Sequence, residues 1–155
     1  MLKMIDKAEK VVIMITGTIL ALFVFSILYA KTKYKSDIPE CLPYDKAYTE
    51  PKVNKIDEKT YQVFAVAQMW TFQPAEIYIP VGSEVDFFLT SKDVVHGFNI
   101  AEKNVNMMAV YGNINKQTVK FDKPGVYKIT CHEYCGVGHQ NMQAEVIVND
   151  LPLFP

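Results

Sequence analysis

The chain has 155 residues, of which 50% are hydrophobic and 21% are charged, and its formal net charge is −1. This length suits one domain of ordinary size with some residues left over, which excludes a multidomain enzyme. The near-neutral charge and a pI of about 6.3 argue against a nucleic-acid-binding protein.

The first predicted element is a transmembrane helix over residues 11–30. None of these 20 residues is charged, and such a helix extends about 30 Å, the thickness of the hydrocarbon core of a bilayer. A cleaved signal peptide is the alternative. Its apolar stretch usually has about 7–15 residues, however, and Leu28-Tyr29-Ala30 is a poor cleavage site. We therefore predict a retained anchor over residues 1–35. Three lysines flank the span closely on each side, so the positive-inside rule does not fix its orientation.

After the anchor, the sequence predicts a polar connector and then an all-β domain. Residues 36–59 are rich in charge and proline and have no sustained hydrophobic period, which indicates a connector. From residue 60 onward, short segments rich in β-branched and aromatic residues are separated by turn signals such as PVGS (80–83) and DKPG (122–125). About seven such segments, without an amphipathic helix, predict a β-sandwich or β-barrel over residues 60–155.

The side chains able to bind a soft metal are concentrated in one predicted loop. Cys131, Cys135, His139 and Met142 lie within 12 residues between the last two predicted strands. His96 lies 35 residues before Cys131, just beyond the predicted strand 84–90. Strand ends at one edge of a sandwich can bring these thiols, imidazoles and thioether together.

The ligand types favour a dinuclear copper centre over other Cys/His sites. Covalent haem needs Cys-x-x-Cys-His, which is absent. Zinc would use both cysteines and both histidines and leave Met142 without a role, while a mononuclear blue-copper site takes only one cysteine. Two thiolates can instead bridge two copper ions with one histidine each, and Met142 and a main-chain carbonyl between the cysteines can serve as weak ligands. Simpler interpretations stay open: a Cys131–Cys135 disulfide, a structural His96 and a core Met142.

The pattern Cys-x-Glu-x-Cys-x-x-x-His-x-x-Met, with Asp-Val-Val-His upstream, resembles the CuA motif of cytochrome c oxidase subunit II. The resemblance covers residues 61–148 and implies an all-β, cupredoxin-like Greek-key β-barrel that carries one N-terminal transmembrane α-helix. It also implies two copper ions held by bridging thiolates, terminal imidazoles, a weak thioether and a main-chain carbonyl. By this resemblance, Cys131 and Cys135 supply the thiolates, and His96 and His139 supply the imidazoles. Met142 supplies the thioether, and Glu133 supplies the main-chain carbonyl.

The single span and the local sequences CHEYCGVGHQNM and VVHGF resemble the short subunit II of B-type (ba-type) haem–copper oxidases. The resemblance implies a subunit that accepts electrons from cytochrome c and passes them to the haems of subunit I, where dioxygen is reduced to water and protons are pumped. It implies a single-pass protein of the cytoplasmic (inner) membrane with the copper domain on the outer, periplasmic side. The expected partners are subunit I, a small membrane subunit that supplies a further helix, cytochrome c and membrane lipid, with no nucleic acid.

Three residues outside the ligand set receive a weaker assignment or none. By the same resemblance, Trp70 corresponds to the aromatic cluster through which electrons enter, although a core aromatic fits this position nearly as well. His132 and Cys41 receive no role. The alternative function is a membrane-tethered copper-delivery protein of the same fold, which would bind one exchangeable copper rather than two.

Overall fold

The protein consists of an N-terminal helical unit and a β-sheet unit. The computed structural model describes residues 6–34, 40–42 and 48–149, and the two compact units are Met1–Ser36 and Asp37–Pro155. The helix α1 is Lys7–Tyr34. The strands in chain order are β1 (Glu40–Leu42), β2 (Lys52–Lys55), β3 (Thr60–Gln68), β4 (Thr71–Gln73), β5 (Glu76–Pro80), β6 (Ser83–Ser91), β7 (His96–Ile100), β8 (Val105–Ala109), β9 (Ile114–Phe121), β10 (Gly125–Thr130) and β11 (Gln143–Asn149). Two short 3₁₀ turns are Ala101–Lys103 and His139–Asn141.

α1 has the length and composition of a membrane-spanning helix. It begins with a reciprocal capping pair, in which Glu9 N–H donates to the Asp6 carboxylate at 2.8 Å and Asp6 N–H donates to the Glu9 carboxylate at 3.1 Å. The stretch Lys7–Lys33 reaches a mean hydropathy of 2.7, and its most apolar window is not buried. Among the described residues, α1 is the one helix that could cross a membrane by these criteria.

Two sheets enclose one core and form a cupredoxin-like barrel. The first sheet has the order β1-β9-β6-β3-β2, with β4 paired to β3, and the second has the order β5-β11-β10-β7-β8. Neighbouring strands are antiparallel, except that β3 pairs with β6 and β5 pairs with β11 in parallel. This architecture confirms the predicted all-β class with one N-terminal helix.

Side chains that alternate along the strands fill the space between the sheets. In β6, Val85, Phe87 and Leu89 are fully buried, because every second residue of a strand faces the same side. The ring of Phe87 packs against Phe98 of β7 and Phe121 of β9, with centroids 5.5 and 6.4 Å apart. The contact between Phe87 and Phe98 joins the two sheets and fixes the position of β7, whose first residue is His96.

The structure differs from the predicted connector over residues 36–59. β1 and β2 lie within this range, where β1 pairs with β9 and β2 pairs with β3. β2 is polar, mostly exposed and at the edge of its sheet, so it lacks the hydrophobic alternation by which a strand is recognised. The Tyr48 hydroxyl, 2.7 Å from Ala65 O and 2.6 Å from Phe88 O, also attaches this segment to the first sheet. The side chain of Cys41 lies outside the described residues.

Replacing Phe98 with alanine should destabilise the β-sheet unit by about 3–5 kcal/mol, the usual cost of deleting a buried aromatic ring and leaving a cavity. Phe98 is fully buried and contacts Phe72 and Phe87. Urea unfolding of the full chain in detergent, followed by circular dichroism, would measure this loss. Val126→Ala on β10 is the control: Val126 is exposed, and its loss should change the free energy of unfolding by less than about 0.5 kcal/mol. Equal effects of both changes would contradict the assigned core.

Candidate metal centre

His96 is buried, and one of its ring nitrogens is available to a metal. Its Nε2 lies 2.7 Å from Asp93 Oδ1. Because a carboxylate only accepts hydrogen bonds, this contact places the ring proton on Nε2 and leaves a lone pair on Nδ1. Nδ1 is buried and has no hydrogen-bond partner among the described residues. Metal-binding histidines typically have this arrangement, with the second nitrogen fixed by a carboxylate.

The loop between β10 and β11 brings four more side chains to the same place as His96. The ligand atoms of His96, Cys131 and Cys135 lie within 4.8 Å of one another. Cys135 Sγ lies 3.7 Å from Cys131 Sγ. It also lies 3.6 Å from His139 Nδ1 and 3.8 Å from Met142 Sδ. The five side chains that the sequence offered as metal ligands therefore converge in the structure.

The distance between the two cysteine sulfurs shows that they are not joined in a disulfide, and a main-chain carbonyl lies close to one of them. Both Cys131 and Cys135 are free, and their separation of 3.7 Å is far longer than the bond of about 2 Å in a disulfide. The interpretation of this loop as a disulfide is therefore wrong. The main-chain oxygen of Glu133, between the two cysteines, lies 3.3 Å from Cys131 Sγ.

Main-chain hydrogen bonds hold the loop in this shape. Cys131 N–H donates to Met142 O at 3.2 Å, which continues the pairing of β10 with β11 into the loop. His139 N–H donates to Gly136 O at 3.1 Å, and Met142 N–H donates to His139 O at 3.2 Å. Gly136 has a φ of +116°, which residues with a side chain rarely adopt. The ligands are thus carried by a series of tight turns.

The surroundings of the centre shift the pKa of a thiol and the pKa of a carboxylate in opposite directions. Burial, followed by the neighbouring Cys131 thiol, raises the pKa of Cys135 to about 11. Burial alone would raise the pKa of Asp93, but the hydrogen bonds from His96 and from main-chain N–H groups outweigh it and lower that pKa below its ordinary value. At neutral pH a charged carboxylate therefore supports His96, while the Cys135 thiol without metal is protonated.

The donor atoms fit a soft metal ion. Met142 is buried with its sulfur against Cys135 Sγ. Structural zinc sites use cysteine, histidine and carboxylate ligands and leave a thioether without a role, whereas copper accepts thiolate, imidazole and a weak thioether together. A bound ion would also satisfy the orphaned Nδ1 of His96. The residues present are therefore compatible with copper.

The Trp70 ring packs against the candidate metal-binding loop and lies outside the core. Its side chain is 43% exposed, and its Nε1–H donates to Cys135 O at 3.2 Å. The indole ring lies against Gly136 and Gly138, and a Cβ at Gly138 would overlap it. The core-aromatic interpretation of Trp70 does not match this position. The ring instead bridges solvent and the main chain of a candidate ligand.

The side chains of His132 and Glu133 lie at the surface of the loop. His132 Nε2 is 4.0 Å from Glu133 Oε1, and the His132 ring lies against Gly97 of β7.

Sequence reasoning gave no role to Asp93, although it contacts His96 directly. The signal available was its position three residues before the histidine in Asp93-Val94-Val95-His96, a spacing that permits a turn. The contact between Trp70 and Gly138 was also missed. This contact requires a glycine at position 138, because a Cβ there would overlap the Trp70 ring. The one signal in the sequence was the pair of glycines in Cys-Gly-Val-Gly.

Comparisons with known proteins agree on one family. A family model described as cytochrome C oxidase subunit II, periplasmic domain, matches residues 47–149. Cytochrome c oxidase subunit 2 of Thermus thermophilus is 39% identical over 90 residues, which are 58% of this chain and 67% of that protein. The chain spans about half the length, 54%, of a second T. thermophilus subunit 2 sequence.

Solved structures agree as well. A chain of a heme-copper terminal oxidase dimer, determined by cryo-electron microscopy, matches with a TM-score of 0.79 and 44% identity over 92% of this chain and 100% of that chain. The periplasmic domain of subunit II of cytochrome oxidase from Bradyrhizobium japonicum matches with a TM-score of 0.53 and 23% identity over 56% of this chain and 82% of that chain. The second match supports the fold alone.

Loading the site with copper should release protons and become more favourable as the pH rises. Cys135 would bind a metal ion as a thiolate, but its pKa of about 11 keeps the thiol protonated at neutral pH. Below that pKa, each pH unit should therefore raise the apparent affinity up to about tenfold for this proton alone. Calorimetric titration in buffers of different ionisation enthalpy would count the protons released. Cys135→Ser should release fewer, and pH-independent binding by the unchanged chain would contradict the assignment.

Proposed function

This chain belongs to the family of cytochrome c oxidase subunit II, whose members are parts of an oxidoreductase, and we propose that it is the electron-accepting subunit of a haem–copper oxidase. In this proposal, a dinuclear CuA centre in the barrel accepts electrons from cytochrome c and passes them to the haems of subunit I. Reduction of dioxygen to water, coupled to proton pumping, takes place in that other subunit.

The convergence of the loop ligands with His96 is the observation that supports this proposal. Two sulfurs 3.7 Å apart can both bridge a pair of metal ions, and His96 and His139 can each complete one of them. A mononuclear site with two histidines, one cysteine and a methionine would leave a second thiol buried beside the metal without a role. The number and position of the donors therefore favour two copper ions.

The chain's own residues supply a rigid set of donor atoms. Cys131, Cys135, His96 and His139 would hold the two ions, while Met142 and the Glu133 carbonyl would provide weak ligands. In the bound state, a pair of copper ions supplies a one-electron store shared by both metals. Ligands held by a paired strand and by tight turns move little when the charge of the centre changes, and this lowers the reorganisation that electron transfer requires.

Trp70 is the proposed residue through which electrons enter. The indole is in contact with solvent on one side and donates its N–H to the Cys135 carbonyl on the other. Tyr134 and Val137, which lie in the loop between β10 and β11, are more than 80% exposed. A donor such as cytochrome c would therefore meet an aromatic and aliphatic surface directly above the ligands, of the kind that protein partners cover.

The remaining parts of the proposal concern the membrane and the partners. We propose an anchor over residues 1–35 in the cytoplasmic (inner) membrane, in contact with lipid, and a copper domain on the outer, periplasmic side that includes β1 and β2 ahead of residue 60. Among the described residues, α1 is the one candidate span, and it supports the membrane anchor. Subunit I and a small membrane subunit with a further helix are the proposed partners within the complex.

Copper stoichiometry and hyperfine structure test the number of metal ions. The unchanged full chain should bind two copper ions and, in the mixed-valence state, give an EPR spectrum of one electron shared equally by two copper nuclei. Cys135→Ser should lose this shared state, because a hydroxyl is a hard and mostly protonated ligand that cannot replace a bridging thiolate. Met142→Leu should keep both ions and shift the spectrum and the reduction potential.

Cys41→Ser is the matched control, because it removes the one thiol outside the proposed ligand set and should leave the copper count and spectrum unchanged. One exchangeable copper per chain, with the hyperfine pattern of a single nucleus that Cys135→Ser does not alter, would refute the dinuclear centre. The copper-delivery alternative would then be preferred.

Trp70→Ala should slow electron transfer from reduced cytochrome c while the copper spectrum stays intact, because the indole contacts a ligand's carbonyl and is itself no ligand. Stopped-flow reduction of the assembled oxidase would measure this rate. Tyr78→Ala, which removes a partly exposed aromatic ring from β5, is the control and should leave the rate unchanged. A lost copper spectrum in Trp70→Ala would instead assign the ring a structural role.

A further inference from the structure

The Asp93 carboxylate receives hydrogen bonds from two separate parts of the candidate metal centre. Its Oδ1 lies 2.7 Å from His96 Nε2 and accepts Val94 N–H at 2.7 Å. Its Oδ2 accepts the main-chain N–H of Met69, also at 2.7 Å. One carboxylate thus joins the segment that carries a proposed ligand to the turn that carries Trp70.

Trp70 continues this path of contacts to the other side of the centre. Its Nε1–H donates to Cys135 O at 3.2 Å. The ligand atoms of Cys135 and His96 in turn lie within 4.8 Å of each other. The hydrogen bonds of His96 and Met69 to Asp93, and of Trp70 to Cys135, therefore connect two proposed ligands through one series of neighbouring residues.

We infer that Asp93 is a positioning residue that holds the ligand His96 and the electron-accepting Trp70 in a fixed relation. Through Oδ1 it keeps the proton on His96 Nε2, so that Nδ1 stays free for the metal. Through Oδ2 it anchors the Met69–Trp70 turn, so that the indole stays on the Cys135 carbonyl. The part that concerns copper rests on the proposed function, whereas the contact with the turn is independent of any metal.

Replacing Asp93 with asparagine tests its hydrogen bonds to His96 and to Met69 without changing the volume of the side chain. Asparagine has nearly the same shape as aspartate but only one acceptor oxygen, so its amide N–H groups would oppose either the His96 Nε2–H or the Met69 N–H. It also removes a negative charge beside a ligand histidine. An imidazole without that support is a weaker electron donor, which disfavours the oxidised metal and raises the reduction potential.

The test uses the full chain in detergent, where Trp70 is the one tryptophan and reports its own surroundings. In the copper-free protein, Asp93→Asn should shift the tryptophan emission to longer wavelength and increase its quenching by acrylamide. In the copper-loaded protein, the same change should raise the reduction potential and weaken copper binding by roughly 10- to 100-fold. Asp122→Asn removes an exposed carboxylate that pairs with Lys120 and should change none of these quantities.

A second comparison separates positioning from a general loss of structure. If Asp93 acts on electron input through the Trp70 turn, Asp93→Asn and Trp70→Phe should have non-additive effects on the rate of reduction by cytochrome c. Additive effects, or unchanged fluorescence of the copper-free Asp93→Asn chain, would overturn the link to Trp70. An unchanged reduction potential and copper affinity would overturn the link to His96.

A further test uses the unchanged chain and therefore does not depend on whether a variant folds. NMR should find the His96 ring proton on Nε2 and the Met69 amide protected from hydrogen exchange. A proton on Nδ1, or a rapidly exchanging Met69 amide, would overturn the inference even if Asp93→Asn fails to fold. Absence of copper binding by the unchanged chain would refute the proposed function, while the fluorescence and NMR results would still decide whether Asp93 holds the Trp70 turn.

Discussion

The geometry of the centre depends on the pairing of Thr130, the last residue of β10, with a strand on each side. Thr130 pairs with Gln143 of β11 and with Asn99 of β7. These pairs fix both ends of the ligand loop and the strand that begins with His96. Because β7 is also held by the aromatic packing between the sheets, its first residue has little freedom to move away from the loop. Antiparallel pairing thus brings residues distant in sequence to within a few ångströms.

Two polar groups of the candidate centre are buried at some cost in free energy. The Nδ1 of His96 has no partner among the residues the structure describes, and burial beside a second thiol raises the pKa of Cys135. Buried groups of this kind normally find hydrogen bonds. The barrel tolerates them because the core and the strand pairing hold the loop in place. A bound metal ion would satisfy Nδ1 of His96, and the strand pairing would hold the donors of the loop in place around it.

The sequence predicted features that depend on particular side chains at close spacing. It did not predict features that depend on backbone pairing or on contacts between distant segments. The candidate ligands were predicted because thiols, imidazoles and a thioether seldom occur so close together in a chain, and β6 was predicted from its hydrophobic content. β2 was missed because it is a polar edge strand. β7 was missed because it begins at a histidine and a glycine, so its burial arises from its neighbours. The roles of Asp93 and of the glycines beneath Trp70 depend on contacts between distant segments, which no local pattern encodes.

A site closed by its own protein ligands is suited to moving electrons and unsuited to binding a substrate. In the proposed centre, the donors come from the chain itself: two sulfurs, two ring nitrogens, a thioether and a carbonyl. Catalytic metal sites instead keep a coordination position open for water or substrate. In the proposed function, the chemistry of oxygen therefore belongs to another subunit. The barrel then has two tasks, to keep its ligands still and to present one ring, Trp70, that reaches from the surface to the main chain of a ligand.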